Sequence, residues 1–159
     1  MALEEYYTQI FIKQLGMEPT EGQRELFEKL GKFLVLPPDE FPLLVVRGYA
    51  GTGKTTAISA VISVMKEFGT KCILLAPTGR AAKVLSSYSG QPAFTIHKHI
   101  YRQKSVGGDG FGQFTLSPNK DKEALFVVDE VSLIGVEAGQ QQSTTSFGSG
   151  NLLEDLVTF

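Results

Sequence analysis

The sequence predicts an α/β fold in which a parallel sheet is flanked by helices. Three short apolar runs carry this prediction, at Leu43–Val46, Cys72–Ala76 and Leu125–Val128. Their hydrophobicity is continuous rather than alternating, which is typical of strands covered on both faces. Residues 54–68, between the first two runs, are apolar almost all round and predict a buried helix that ends at Gly69. Strands that alternate with helices favour a layered α/β domain.

Two helices are predicted before the first strand. Apolar side chains recur at helical spacing over residues 3–15, and Gly16 follows where a helix commonly ends. The second helix begins at Thr20, which has capping-box spacing to Gln23. The two prolines at 37–38 end it.

The second half of the chain contains less regular features. A helix is predicted over residues 79–88. Residues 102–124 hold a glycine-rich turn and a candidate return strand at 113–116, so we expect a β-hairpin inserted into the α/β frame. A polar loop over residues 139–151 precedes a short amphipathic helix over residues 152–157.

Composition indicates a folded protein that binds an anion. The chain has 159 residues, of which 42% are hydrophobic and 20% charged, so we expect a real core rather than disorder. The single Cys72 excludes a disulfide framework, and no apolar stretch is long enough to span a membrane, which favours a cytoplasmic protein. Residues 47–122 hold eleven Lys or Arg against three Asp or Glu, so this segment is the candidate anion-binding region.

The strongest motif is a phosphate-binding loop. The run GYAGTGKT at residues 48–55 follows an apolar run and opens a predicted helix, which is the context that supports the motif. Glycines let backbone amides surround phosphate, and the positive end of the helix adds to the attraction. Lys54 neutralises phosphate oxygens and the Thr55 hydroxyl coordinates Mg²⁺. The nucleotide-binding candidates are Gly48, Ala50, Gly51, Thr52, Gly53, Lys54, Thr55 and Thr56.

An acidic pair follows the third apolar run. Asp129 and Glu130 come at the carboxyl end of Leu125–Val128, where a strand would bring them beside the phosphate loop. Asp129 is the candidate to hold Mg²⁺ through water, and Glu130 is the candidate general base for the attacking water. The alternative is an acidic helix cap. With Lys54, this pair completes the catalytic candidates and predicts Mg²⁺ with ATP or GTP.

These motifs together resemble those of superfamily 1 helicases. Residues 48–56, the run APTGRAA at 76–82, the run TIH at 95–97 and the run VDEVS at 128–132 are similar to motifs I, Ia, Ib and II. They are most similar to the RecD-like and Dda-like branch, which moves 5′ to 3′ on DNA. The resemblance covers about residues 18–135. It implies ATP and Mg²⁺ as cofactors, single-stranded DNA as a partner and no membrane.

The resemblance also implies a division of the chain. Residues 1–36 are the N-terminal helices, which include an adenine-reading glutamine. Residues 37–159 are a RecA-like P-loop ATPase domain, with residues 102–124 as the inserted hairpin. This hairpin lies at the position where members of the family insert a small wedge domain that splits duplex. Either Phe111 or Phe114 is then a candidate to stack on a base, unless the hairpin simply packs on the body of the domain.

Several residues have two possible roles under this resemblance. Gln23 reads the adenine base, or it only closes the capping box with Thr20. The candidate DNA contacts either meet the phosphate backbone or are ordinary solvated and capping residues; they are Thr78, Gly79, Arg80, Thr95 and His97. The same choice applies to Lys98, Arg102 and Lys104. Tyr49 is a candidate to touch nucleotide or DNA.

The sequence departs from the family after motif II. The family continues with a strand that lies between those of motifs I and II, and with a second RecA-like domain in cis that supplies arginines to the γ-phosphate. No Lys or Arg follows Lys122 in this chain. We therefore expect an apparently truncated domain with a gap in its sheet, which binds nucleotide but hydrolyses it slowly and does not unwind duplex. The alternatives are a stand-alone nucleotide-binding module and a small P-loop phosphotransferase.

Overall fold

A computed structural model describes residues 1–37, 40, 42–106, 112–134 and 146–159. The helices are α1 (Leu3–Leu15), α2 (Glu21–Leu34), α3 (Lys54–Glu67), α4 (Gly79–Ser89), α5 (Ile96–Ile100) and α6 (Leu152–Thr158). The strands are β1 (Cys72–Ala76), β2 (Ala93–Thr95), β3 (Tyr101–Val106), β4 (Gly112–Leu116), β5 (Leu125–Val128) and β6 (Ser146–Phe147). A 3₁₀ turn spans Val131–Leu133. No helix within these ranges is both long and apolar enough to cross a membrane.

The chain divides into two compact units. Unit 1 comprises Met1–Cys72 and Glu123–Leu125, and unit 2 comprises Ile73–Lys122 and Phe126–Phe159. The predicted α/β class, with a parallel sheet flanked by helices, is confirmed by the strand order β2-β1-β5 of the first sheet. The domain boundary expected between residues 36 and 37 stays a prediction.

Unit 1 is built on the mutual packing of α1, α2 and α3. The side chains of Phe11 and Phe27 are fully buried, and their ring centroids lie 5.7 Å apart. They share one core cluster with apolar side chains of α3, including Ala57 and Val64. The predicted ends of α1 are confirmed, since Gly16 adopts the left-handed conformation that ends a helix with φ of 72°.

The strand predicted at Leu43–Val46 is wrong. Residues 42–49 have no regular secondary structure, and the side chains of Leu43 and Val45 are 72% and 68% exposed. Only Leu44 packs against the core of unit 1. A strand requires a neighbour that accepts and donates its ladder hydrogen bonds, and an apolar run of the right length does not supply that neighbour.

The first sheet has the strand order β2-β1-β5 and is parallel. Strand β1 pairs with β2 in the register Leu74 to Ala93 through Ala76 to Thr95. On the other side of β1, strand β5 runs parallel to it. Leu125 N donates to Lys71 O and, four residues further along both segments, Asp129 N donates to Leu75 O. The predictions of β1 and β5 are confirmed. Strand β2 was not predicted, because its three residues of mixed polarity give no apolar run. Helix α5, which follows it directly, was not predicted either.

The second sheet, which belongs to unit 2, has the order β3-β4-β6. Strands β3 and β4 form the predicted antiparallel hairpin, with a bulge between Gln103 and Ser105. Strand β6 adds in parallel to β4 and was not predicted. The ring of Phe114 stacks on Phe147 with centroids 4.6 Å apart, so Phe114 packs the hairpin against another strand. The hairpin turn with Phe111, and most of the predicted polar loop, lie outside the described residues.

A buried carboxylate fixes α6 near this sheet. Asp155 is only 4% exposed, and its carboxylate accepts hydrogen bonds from the Tyr101 hydroxyl at 2.5 Å and from Ser149 N at 3.1 Å. Burial alone would raise the pKa of Asp155, but these bonds favour the ionised form and lower the pKa below its usual value. Helix α6, predicted from apolar spacing, is therefore attached through an ionised group as well as through the ring contacts of Phe159 with His99 and Phe126.

We predict that Asp155 makes stability depend on pH in the acidic range. Its pKa is lower in the folded chain, so its stabilisation is complete above the unfolded value of about 4 and is lost as pH falls through the folded value. Replacing Asp155 by Asn should lower the free energy of unfolding at neutral pH by about 1–3 kcal/mol. The variant should also show a flatter dependence on pH below about 5. Urea unfolding at a series of pH values measures both effects.

The matched control is Glu154→Gln, because Glu154 is the exposed neighbour of Asp155 on the same helix. This control should keep the wild-type stability and its pH dependence. An Asp155→Asn variant with an unchanged acid profile would contradict the role given to the buried carboxylate.

Candidate functional site

The predicted phosphate loop leads directly into α3 in unit 1. Gly53 is the N-cap of this helix and adopts a left-handed conformation with φ of 78°. The amides of the first helical turn therefore have no acceptor within the helix, which is the arrangement that binds anions. The Lys54 ammonium donates to the carbonyl of Gly48, and the Thr52 hydroxyl donates to Tyr49 O at 2.8 Å. The side chains of Thr55 and Thr56 are exposed at the start of α3.

Gln23 connects the start of α2 to this loop. Its amide oxygen accepts from Thr20 N at 3.0 Å, and Gln23 N donates to the Thr20 hydroxyl at 3.2 Å, so the predicted capping box is confirmed. Its amide nitrogen donates to Gly53 O at 3.0 Å. Gln23 is 6% exposed, and both ends of its amide are engaged. Reading of adenine by Gln23 stays a prediction, and it requires at least one of these bonds to exchange.

The acidic pair follows β5 as predicted. Asp129 N continues the sheet by donating to Leu75 O at 3.0 Å. One carboxylate oxygen of Asp129 accepts from Glu130 N, and the other accepts from the Tyr88 hydroxyl, both at 2.9 Å. Burial, followed by the contact with Asp129, raises the pKa of Tyr88 well above its usual value, so Tyr88 stays a donor. Sequence reasoning missed Tyr88, because it lies 41 residues from its partner.

Glu130 has an unusual backbone conformation. Among the described residues, it is the non-glycine residue with positive φ, at 58°. This left-handed conformation costs about 1–2 kcal/mol for an ordinary residue, and such strain is concentrated at functional sites. Its side chain is exposed, so a proton acceptor here is open to solvent.

Two of the candidate DNA contacts are helix caps in unit 2. The Thr78 hydroxyl accepts from Ala81 N at 3.1 Å, and the Thr95 hydroxyl accepts from Lys98 N at 3.2 Å. Thr95 ends β2, and Thr78 follows β1 by two residues, so both lie at the same edge of the parallel sheet. Gly79 and Arg80 are exposed at the start of α4. The capping role of the threonines is observed, and their contact with DNA stays a prediction.

A shallow groove adjoins these residues. It is lined by α4, β2 and α5 and brings Gly79 and Thr95 together with Lys83 and Lys98. The ammonium of Lys98 lies 5.5 Å from the centroid of the Phe94 ring, and Phe94 is 41% exposed. The groove therefore combines two cations with an aromatic surface. Sequence reasoning missed Phe94, although it directly precedes Thr95.

His97 lies apart from this groove and packs against aromatic rings. Its ring centroid is 5.6 Å from that of Tyr101 and 5.0 Å from that of Phe147. Burial lowers the pKa of His97, so the imidazole is neutral at physiological pH. The geometry supports a packing role for His97, and its contact with DNA stays a prediction.

Comparison with known families agrees with the geometry of the loop. Residues 20–143 match the AAA domain family. The chain belongs to this family. The family match, together with two helicases among the relatives, confirms the resemblance to RecD-like and Dda-like helicase motors.

The similar proteins include two helicases and one uncharacterized protein. The ATP-dependent RecD2 DNA helicase of Deinococcus radiodurans is 38% identical over 93 residues, which are 58% of this chain and 12% of that protein. The ATP-dependent DNA helicase dda of enterobacteria phage T4 is 40% identical over 127 residues, which are 72% of this chain and 26% of that protein. An uncharacterized protein of Methanocaldococcus jannaschii is 34% identical over 103 residues, which are 58% of this chain and 9% of that protein. The AAA domain described here thus spans a minor part of the length of these proteins.

We predict that replacing Gly53 by Ala destabilises the chain more than replacing Gly51 by Ala. Both glycines have φ near +80°, so both variants carry a backbone cost of about 1–2 kcal/mol. A Cβ at Gly53 would lie 2.5 Å from the amide nitrogen of Gln23, whereas nothing lies within 4 Å of a Cβ at Gly51. The difference between the two melting temperatures measures the clash with Gln23.

Gly53→Ala should cost less in a Gln23→Ala background than in the wild-type chain, because Gln23→Ala removes the group that the new methyl meets. Equal melting temperatures for the two single glycine variants would contradict this account of the loop.

Proposed function

We propose that this chain is the ATP-binding part of the motor of an ATP-dependent DNA helicase. In such a motor, ATP hydrolysis would drive 5′ to 3′ movement along single-stranded DNA. The observation that carries the proposal is the phosphate loop in unit 1, where Lys54 begins α3 and the N-cap Gly53 provides no side-chain cap. Membership of the AAA domain family and the two helicases among the relatives support it.

The roles within the loop follow from charge and hydrogen bonding. The amides of residues 51–56 are proposed to surround the β- and γ-phosphates, and the ammonium of Lys54 to leave Gly48 O for a phosphate oxygen. A phosphate oxygen carries more negative charge than a carbonyl, so this exchange is favourable. Gln23 is proposed to read the adenine base with the amide that now caps α2.

Two residues, one in each unit, have the chemistry of a ligand for Mg²⁺ brought in with the nucleotide. The Thr55 hydroxyl of unit 1 and the Asp129 carboxylate of unit 2 are each oxygen donors, which a hard cation prefers. Among the residues that the structure describes, no group of three or more His, Cys, Asp or Glu is arranged to hold an ion. When bound, Mg²⁺ would neutralise charge that develops on the phosphate oxygens.

Asp129 and Glu130 are proposed to divide two tasks. The carboxylate of Asp129 still has acceptor positions beyond those used by Tyr88 and Glu130, and these can bind water on the metal. The exposed carboxylate of Glu130 is proposed to accept a proton from the water that attacks the γ-phosphate.

The start of α4 and the neighbouring groove are proposed to contact single-stranded DNA. Arg80 and Gly79 are exposed at the N-terminal end of a helix, where a phosphate is favoured. Lys83 and Lys98 add positive charge along the groove, and the exposed ring of Phe94 offers a surface for a base.

The first prediction from this proposal concerns Lys54. Replacing Lys54 by Ala should weaken ATP binding by about ten- to a hundredfold, because it removes a charged donor worth about 1.5–3 kcal/mol. Equilibrium titration of the chain with a fluorescent ATP analogue measures this. The control is Lys66→Ala, an exposed lysine in the last turn of the same helix. Equal affinities for the two variants would contradict nucleotide binding at the loop.

The second prediction concerns Arg80. Replacing Arg80 by Ala should weaken binding to a single-stranded oligonucleotide and reduce the slope of log K against log salt by about 0.7, the value for one phosphate contact on a single strand. Fluorescence anisotropy at several salt concentrations gives this slope. Arg24→Ala on α2 is the control, since its partner is the exposed Glu18. A slope that Arg80→Ala leaves unchanged would remove Arg80 from the DNA surface.

A further inference from the structure

Tyr88 contacts a residue that the proposed function makes chemically important. It lies near the end of α4, which ends at Ser89, and its half-buried ring directs the hydroxyl to the Asp129 carboxylate at 2.9 Å. We propose that Tyr88 is a positioning residue that holds the Asp129 carboxylate in the orientation needed for Mg²⁺ and its water. This inference rests on the proposed function and adds to it a residue outside the phosphate loop and the acidic pair.

Hydrogen bonds hold both the backbone and the carboxylate of Asp129 in place. Its backbone is anchored to β1, because Asp129 N donates to Leu75 O. One carboxylate oxygen accepts from the adjacent amide of Glu130 at 2.9 Å. That bond comes from the next residue in the chain, so it limits rotation of the carboxylate only through the local backbone. The Tyr88 hydroxyl comes from a different element and binds the other oxygen.

Two donors on opposite oxygens define the plane of a carboxylate. A carboxylate offers about four acceptor positions, and those that the described contacts of Asp129 leave open then point in fixed directions. Groups outside the ligand shell that orient a metal ligand are commonly worth about ten- to a hundredfold in metal affinity. The ring of Tyr88 also supports its hydroxyl, because a half-buried aromatic side chain has only two torsions to restrain.

A purely structural role for Tyr88 makes a different prediction. If the hydroxyl only stabilised the attachment of α4, its loss would weaken nucleotide binding with and without Mg²⁺ to a similar degree. If the bond instead kept the Asp129 carboxylate away from the metal, its loss would lower the Mg²⁺ concentration at half-maximal effect. The sign and the Mg²⁺ specificity of the effect therefore separate the three roles.

The experiment compares Tyr88→Phe with the wild-type chain. ATP binding is titrated with Mg²⁺ and again with the metal chelated, using the fluorescent ATP analogue. We expect Tyr88→Phe to raise the Mg²⁺ concentration at half-maximal effect about tenfold and to leave the metal-free affinity unchanged. Tyr7→Phe is the matched control, because Tyr7 is also half-buried but packs against Phe11 and Phe68.

A second pair of variants tests whether Tyr88 acts through Asp129. In an Asp129→Ala background, adding Tyr88→Phe should cause no further change in the Mg²⁺ dependence. An additional loss of the same size in that background would overturn the positioning role, as would an unchanged or lower Mg²⁺ requirement in Tyr88→Phe alone. Unaltered circular dichroism and metal-free affinity establish that each variant is folded.

The same measurements distinguish a failure of the role of Tyr88 from a failure of the proposed function. If the wild-type chain binds ATP with a clear Mg²⁺ dependence and Tyr88→Phe does not shift it, the proposed function stands and the role of Tyr88 fails. If the wild-type chain shows no ATP binding, the proposed function fails, and the positioning role fails with it.

Discussion

Strand β1 is the element on which the arrangement of the candidate residues in unit 2 depends. It is paired on both sides, and its residues 73–76 are almost completely buried. Because its neighbours β2 and β5 run parallel to it, the carboxyl ends of all three strands lie at the same edge of the sheet. Thr78, Thr95 and Asp129 occupy or directly follow these ends. A parallel sheet thus gathers residues that are far apart in the sequence, and open α/β sheets commonly bind ligands at this edge.

The elements that the sequence predicted correctly are those defined by nearby residues. The capping box of Thr20 and Gln23 depends on residues three positions apart, and the end of α1 depends on one glycine. The apolar run at Leu43–Val46 shows where this reasoning stops. Its composition matches that of β1 and β5, but strand formation depends on a partner, and the sequence pattern does not state whether one is present. An apolar run indicates a preference for burial, but it does not show that a neighbouring strand is present to pair with it.

The same distinction between local motifs and contacts of distant residues applies to the candidate site. The loop, the acidic pair and the caps at Thr78 and Thr95 are short motifs, and the structure gives each of them a defined local geometry. The contacts that the sequence could not supply join distant segments, as between Tyr88 and Asp129 or between Tyr101 and Asp155. Such contacts depend on how helices and strands pack, and the residues involved have no distinguishing neighbours in the sequence. His97 is the opposite case, because a recognisable motif residue turns out to pack against aromatic rings.

The backbone at Glu130 explains why Asp129 needs more than one support. The sheet ladder ends where Asp129 N donates to Leu75 O, and the next residue turns sharply into the 3₁₀ segment, where Leu133 N donates to Glu130 O. The left-handed conformation of Glu130 costs about 1–2 kcal/mol, whereas a hydrogen bond to a charged group contributes about 1.5–3 kcal/mol. The bond from Glu130 N to the Asp129 carboxylate is therefore large enough to offset the strain. One oxygen of Asp129 is committed to this turn, so the orientation of the other depends on a donor from elsewhere, and Tyr88 provides it.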